Sequence, residues 1–474
     1  MNEKPKSKLR WRLLRWGLIG LAVLATLAAV LVTEENWRGK REWENYKHDA
    51  EVRGEKFDLA SVIPPTVPDD QNFFAAPIIA EALQHSKGED TDPTTPATYR
   101  MNFRIYHGES ELWPTNGFPL ATQPQSPADD VLLALSVYDP ALEELRQASL
   151  RPHARIPMNY DNGFDSVGEL LPWLAKMKVC AQFLQLRILA ELEAGQTESA
   201  LANEKLLFKV TDCVREQPFL ITHLVRIAMM AINLVPVYNG LTQHRWSDAQ
   251  LKELEQALSQ EDFLADFEFS MKGEKVISIQ SFEKQKFTRQ MIVYSELGRI
   301  TNSLRLMPRA FFDQNELKFA EMNEQFIMPL VDTTNHLVFP DKLRQMLAAV
   351  ELQKKYYSPY KVQALMVLPA IAAGMKKFAT IQGAVDLARV ACALERFRLA
   401  QGNYPATLAT LEPEFITQLP HDILNGQPLH YRRTNDGKFV LYAVGWNEKD
   451  DGGQVVLTKS GRVDRENGDW VWKY

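Results

Sequence analysis

The chain has 474 residues, 45% hydrophobic and 24% charged, with 54 Lys and Arg against 60 Asp and Glu. That composition excludes wholesale disorder, and the length has room for about two to four domains with buried cores. A formal net charge of −6 excludes a general nucleic-acid binder, which carries a basic face, and a mean hydropathy of −0.27 excludes a polytopic membrane protein but not one membrane segment.

The first fifteen residues carry Lys4, Lys6, Lys8, Arg10, Arg12 and Arg15 against Glu3 alone. Trp16 to Thr33 is then an uncharged, mostly apolar run. Eighteen residues at 1.5 Å rise reach about 27 Å, enough for a bilayer core. Trp11, Trp16 and Trp37 stand near its ends, where indoles favour the headgroup layer. The basic tail is expected to stay in the cytoplasm and the rest to cross. A cleaved signal peptide, cut after Ala28 with Thr26 at the −3 position, is the rival reading, although the apolar run is long for one. The three cysteines, Cys180, Cys213 and Cys392, are too few for a disulfide framework. They read as core residues, with a Cys180–Cys213 bridge open if their helices pair.

Asn36 to Arg53 is charged, with Trp37, Trp43 and Tyr46 at helical spacing, and continues the membrane helix outward. Residues 64–172 then hold 14 of the 26 prolines. This belt reads as extended and loop-rich, with short helices at Phe73–Leu83 and Asp129–Leu145. Phe103, Tyr106, Trp113 and Phe118 predict that it wraps the following domain. From Trp173 the pattern is helical: Trp173, Met177, Cys180, Ala181, Leu184, Ile188 and Leu192 form one stripe, ended by Gly195. Thr197 is expected to cap the next helix, which runs to about Arg215. A third covers Phe219–Tyr238 and is apolar nearly all round. Arg226, His223 and Asn233 argue that it is central in a bundle, not a second membrane span. Ser247-Asp248-Ala249-Gln250 reads as a capping box, with Trp246 and Leu251 as its hydrophobic staple. A long helix follows over Asp262–Lys286, and more reach Tyr357. The turn Leu192-Glu193-Ala194-Gly195-Gln196 with Ala200-Leu201 resembles that of a tetratricopeptide-type unit. Leu365–Ala373, interrupted by Pro369, reads as a buried connector.

Lys376–Leu399 predicts an amphipathic helix closed by Gly402. Leu429–Arg433 and Lys438–Val444 read as strands joined through Asn435-Asp436-Gly437. A third strand is placed at Gln454–Thr458, after the loop Gly445 to Gly453. The terminal Trp470-Val471-Trp472 is expected to pack in the core or to offer a contact edge. The runs ALERFRLAQGNYPATLATL, LPHDILNGQPLHYRR and DGKFVLYAVGWNEKDDGG resemble the globular domain of type II secretion major pseudopilins, over residues 378 to 458. That resemblance implies a long helix, a G-x-Y-P turn, a small antiparallel sheet and a calcium-binding loop. The departures are that the only span lies far upstream and that no processing motif precedes it. Asn447, Asp450 and Asp451 would supply the calcium side-chain oxygens, with carbonyls from Gly445 or Trp446. The spacing is not that of an EF-hand, because Lys449 occupies the third ligand position, and a solvated turn is the competing reading. No other cofactor is expected.

Catalytic motifs are sparse. The nine histidines form no H-E-x-x-H pair, and neither a G-x-S-x-G turn nor a glycine-rich phosphate loop is present. Ser281-Phe282-Glu283-Lys284, Ser358-Pro359-Tyr360-Lys361 and Lys459-Ser460-Gly461 match two of the three signatures of penicillin-binding enzymes, but the third is missing. No catalytic residue is assigned.

The expected fold is mainly α, a helical-hairpin bundle with an N-terminal transmembrane helix and a small C-terminal α+β pseudopilin-like module. Residues 1–15 form the cytoplasmic basic tail and 16–33 the transmembrane helix. The charged stalk and proline-rich wrapping region cover 34–172, the helical domain 173–375 and the α+β module 376–474. The whole arrangement is similar to large singly anchored bacterial envelope proteins. It implies a single-pass inner-membrane protein with its body periplasmic or extracellular, binding or scaffolding other envelope proteins rather than catalysing, with no nucleic-acid partner. The alternatives are an anchored periplasmic hydrolase of envelope polymer and an accessory component of a type II secretion-like system.

Overall fold

The computed structural model describes residues 6–84, 119, 121–160, 167–288, 290–295, 298–303, 305, 307–356, 358–461 and 463–473. It is 67% helix and 6% strand, with a long apolar N-terminal helix and a small C-terminal sheet. The chain forms two compact units. One comprises residues 1–61, 275–325 and 349–369, and the other 62–274, 326–348 and 370–474.

The first unit is organised by α1 (Lys6–Val52), a single helix of 47 residues. Its apolar part is uncovered: Leu18, Leu21, Leu24, Leu27 and Leu31 all face outward. Beyond it the same helix packs beside α10 (Arg309–Met322). Asn36 Oδ1 accepts the Ala310 amide at 2.7 Å, and a Cβ at Gly39 would lie 3.4 Å from Ala310. Gln314 donates to Glu42 at 2.5 Å, and Tyr46 and Arg53 both bind Glu324. These pairs rise together along both sequences, so the helices run parallel. Trp43 and Ala50 are buried, and Phe57 meets Trp43 edge-on at 5.8 Å. The end of α9 (Phe263–Thr288) joins them, with Lys286 between Asp313 and Glu316. An antiparallel ribbon that the sequence reading did not anticipate, β1 (Gln290–Ser295) and β2 (Gly298–Ser303), connects α9 to α10.

The second unit begins with α2 (Pro77–Gln84), α3 (Pro127–Leu135) and α4 (Asp139–Ser149). The described parts of the proline belt close on themselves. Phe73 N–H donates to His153 O at 2.8 Å, and the Asn72 side chain bonds Arg155 at both its N–H and its carbonyl. Phe74 is fully buried against the Trp173 ring at 5.4 Å. Phe103, Tyr106, Trp113 and Phe118 lie outside the described residues.

Helices α5 (Val167–Glu193), α6 (Thr197–Asp212) and α7 (Leu220–Thr242) pack on one another, with α8 (Asp248–Leu258) against α6. The buried stripe of α5 holds Met177, Ala181, Leu184, Ile188 and Leu192 as its spacing predicts. The capping box of α8 is present in full, with Ser247 and Gln250 bonding each other's backbone. Thr197 is not the cap of α6. The cap position is Gln196, and Thr197 Oγ1 instead accepts from Gln250 at 3.3 Å. The three cysteines are free, so Cys180 and Cys213 form no bridge. The Cys213 thiol donates to Val210 O.

A short hairpin, β3 (Val331–Asp332) and β4 (Leu337–Val338), precedes α11 (Pro340–Lys355). Then α12 runs unbroken over Val362–Gln401, through Pro369. The missing amide costs roughly 3 kcal/mol, which the burial of Leu368, Ile371 and Ala372 around it offsets. Gly402 closes the helix at φ +79°. The C-terminal sheet has the order β5 (His430–Arg433), β6 (Phe439–Ala443), β7 (Trp470–Lys473), all antiparallel. The third strand is therefore the chain's end and not Gln454–Thr458, of which only Leu457 makes an isolated bridge, to Val463. Gly452 and Gly453 take φ of +73° and +74°, and Gly453 lies against β6, where an added Cβ would come within 2.8 Å of Val440.

Candidate functional site

Among the described residues, three helices are long and apolar enough to cross a membrane: α1, α7 and the stretch from Pro359 through α12. Protein covers none of the apolar window of α1, against 56% and 50% of the other two. Helix α7 also carries Arg226, fully buried and ringed by acids, so its interior position is a matter of charge pairing as well as of packing. The membrane candidate is α1.

The most concentrated charge in the second unit surrounds that arginine. Arg226 donates to Asp212 at 2.6 Å and to Glu261 and Asp266, and its guanidinium lies 4.5 Å from the Phe263 ring centre. Arg215 reaches Asp266 at 3.3 Å. His223 Nδ1 stands 3.7 Å from the same carboxylate, while its Nε2 meets Gln217 O at 2.9 Å. Burial pushes the Glu261 carboxyl upward, opposed by the Arg226 charge. Burial pushes Asp266 the same way, but the neighbouring His223 and the Arg226 and Arg215 charges outweigh that and hold it below the usual range. Nearby, the half-buried Glu274 accepts the Leu220 amide at 3.4 Å, and its pKa is pushed up to about 7 by desolvation. Each of these groups is engaged with a helix end or an opposite charge, so the arrangement braces helix termini in a low-dielectric interior. The sequence carried one signal for it, an arginine in an apolar helix; its acid partners come from later, distant turns and have no local signature.

The loop joins Asn447 to Asp451 and turns Asp450 toward Tyr442, with Asp469 as a third acid that the sequence reading missed. Asp450 Oδ1 accepts from Tyr442 OH and from the Gly452 amide, both at 2.9 Å. Those bonds keep its carboxyl low. Asn447 donates to Asp451 Oδ2 at 2.8 Å. Asp469 accepts the amides of Asp451 and Gly453. Partial burial, then the charges of Asp451 and Asp450, raise its pKa. Several of the oxygens a calcium ion would take are thus held by the loop's own donors. No group of three or more His, Cys, Asp or Glu side chains is placed to hold a metal ion among the described residues.

The serine–lysine motifs do not form dyads. Ser358 Oγ accepts the Tyr360 amide while Lys361 donates to Gln353. Ser281 Oγ accepts from Gln285, and Ser460 bonds Thr458. His85, His107 and Ser166 lie outside the described residues. The first unit has an open cavity of about 720 Å³ where α1 ends, lined by Lys47, Glu51, Lys56, Asp58, Ser61 and Glu283 among others. It mixes both charge signs and is roomy enough for a few side chains of a bound segment. Comparison with protein-family models, with curated proteins and with solved structures finds no match to this chain.

Proposed function

We propose that this chain is a singly anchored envelope protein whose exported body binds or scaffolds other envelope proteins and performs no catalysis. The observation that carries the anchoring is the continuity of α1. Its first half is apolar and bare of protein, and its second half is built into a folded unit. The basic tail before the span orients it with the amino terminus in the cytoplasm. Binding rather than chemistry is supported by the use made of the buried ionisable groups, which tie helix ends to one another, and by the open, mixed-charge cavity at the end of α1.

A secretion-accessory role is the second reading, and the carboxy-terminal order favours it. A long helix, the Gly402-Asn403-Tyr404-Pro405 turn, an antiparallel ribbon and an acidic double-glycine loop follow one another as in the pseudopilin globular domain. Tyr404 locks the turn by donating to Glu395 at 2.9 Å and packing on Phe439 at 4.9 Å. Calcium at Asn447, Asp450 and Asp451 belongs to this reading, with Asp469 as an added ligand.

A periplasm-active reporter enzyme fused after Tyr474 tests the address. Activity is expected, and an inactive fusion with an active cytoplasmic counterpart sinks the exported body. Photo-crosslinking from Lys56 and Asp58 in the native envelope tests binding. A discrete crosslinked envelope protein is expected, and none at either position counts against the cavity as a docking site.

A further inference from the structure

The first unit presents a basic and apolar face at the level where α1 leaves the membrane. Asn36 lies three residues past Thr33, about 5 Å along the helix, and its side chain holds the Ala310 amide at 2.7 Å. That bond fixes the start of α10, and with it Arg305, Met307 and Arg309, at headgroup height; the headgroup layer is roughly 5–7 Å deep on each side. On another side of α1, the Tyr360 hydroxyl bonds Glu35, one helical step lower. Asn315 ties Pro359 O and the Gln363 amide to α10. Tyr360 is thereby held near Glu35, while Pro359 and Gln363 sit about 7–8 Å further along, at Asn315 of α10, with Lys354, Lys355 and Tyr356 a few residues before them.

The exposed groups there include the acids Glu34 and Glu351, the second paired with Lys354 at 2.6 Å, beside a larger set of cations and apolar side chains. Arg305, Arg309, Lys354 and Lys355 are exposed cations. Met307 is 40% exposed and Tyr356 69%, so both present surface outward. Trp37 on α1, one residue past Asn36, is exposed as well. The β1–β2 ribbon springs from the same end of the unit, between α9 and the start of α10. A lone two-stranded ribbon is marginal in water and gains from a surface to lie on. Cations interleaved with Trp, Tyr and Met at this height are the pattern of an interfacial lipid contact.

We infer that the membrane-proximal end of the first unit, through Arg305, Met307, Arg309 and Tyr356, lies on the anionic phospholipid surface around α1. The inference rests on α1 being the membrane anchor. The surface is continuous with that anchor, so the two contacts act together, and the chain holds the bilayer by a span and by a footprint.

The test uses the full chain in nanodiscs, with a single environment-sensitive fluorophore on a cysteine introduced at Leu24, Met307, Tyr356 or Val52. The native thiols serve as the unlabelled control. Lipid-borne nitroxides on acyl chains or headgroups are the quenchers. With phosphatidylglycerol present, headgroup nitroxide should quench Met307 and Tyr356 at least about two-fold more than Val52, which lies about 28 Å beyond Thr33 along α1. Phosphatidylcholine alone should reduce that quenching, as should Arg305→Glu with Arg309→Glu. Met307 and Tyr356 quenched no more than Val52, or equally in both lipids, overturns the footprint. Leu24 quenched by acyl nitroxide keeps the anchor whatever Met307 does. Leu24 unquenched overturns the anchor and the footprint together.

Discussion

Arg226 shows how one side chain decides the character of a helix. Residues 220–242 are apolar enough to span a bilayer, yet at this position the guanidinium is fully buried between Asp212, Glu261 and Asp266. Replacing it with leucine strands two acids, Glu261 and Asp266, in the interior and takes a partner from the half-exposed Asp212. A loss of about 3–5 kcal/mol is expected, as for breaking a buried pair from one side, read as a lowered urea midpoint at unchanged slope. Glu274 and Glu316 make a separate, pH-dependent statement. Burial raises their pKa values to about 7 and about 8, above the unfolded carboxylate range. Between those ranges the native state holds protons that the unfolded chain has released, so their contribution is complete in acid and lost as pH rises through 7 and 8. Thermal midpoints are therefore expected to fall between about pH 5 and 8. Glu274→Gln should flatten the slope by roughly one proton, up to about 1.4 kcal/mol per pH unit; an unchanged slope would mean that the Glu274 proton is not linked to folding.

At the scale of elements, what could be read in advance was local. The stripe of α5, the capping box of α8, the glycine that closes α12 and the Asn435-Asp436-Gly437 turn each depend on residues within a few positions of one another. The third strand of the terminal sheet does not. Its place beside β6 is set by Trp470 lying across Gly383 of α12, where an added Cβ would come within 2.7 Å of the indole. Nothing near Trp470 in sequence encodes a glycine 87 positions earlier. The β1–β2 ribbon was missed because its sequence sits among helical patterns, and Pro369 was misread because tertiary packing outweighed a local breaker. The candidate loop was legible in three of its polar residues, while Asp469 arrives with the same distant strand. Gly383→Val should push Trp470 out and unpair β7, at a cost of about 1–3 kcal/mol. Enhanced proteolysis after Gly468 and a red-shifted tryptophan emission would show it, and a wild-type emission spectrum would refute the close approach.

For the whole molecule, the defining fact is that the candidate membrane span and the first folded unit share one helix. A flexible tether would let that unit roam; α1 instead runs from its bare apolar stretch into contact with α10 without a break. Replacing Glu34 and Glu35 by a Gly-Pro pair is expected to uncouple the two. The first unit should lose no more than about 1–2 kcal/mol of stability, since the contacts removed are those of Glu35 with Arg38 and Tyr360, while fluorescence anisotropy of a label at Val52 in nanodiscs should fall towards that of a freely tumbling unit. Unchanged anisotropy would show that the stiffness comes from elsewhere.

That shared helix also sets a phase. Each residue of an α-helix turns the chain by about 100°, so the azimuth at which α10 grips Asn36, Gly39 and Glu42 is locked to the azimuth of every side chain inside the bilayer. One alanine inserted between Thr33 and Glu34 would leave the span apolar and the body folded, yet rotate the second against the first by more than a quarter turn. A solitary anchor is indifferent to such a rotation. An anchor that touches another helix in the bilayer is not, and with α1 as the anchor its angular register decides which of its sides a neighbour in the membrane meets while the first unit points in a fixed direction.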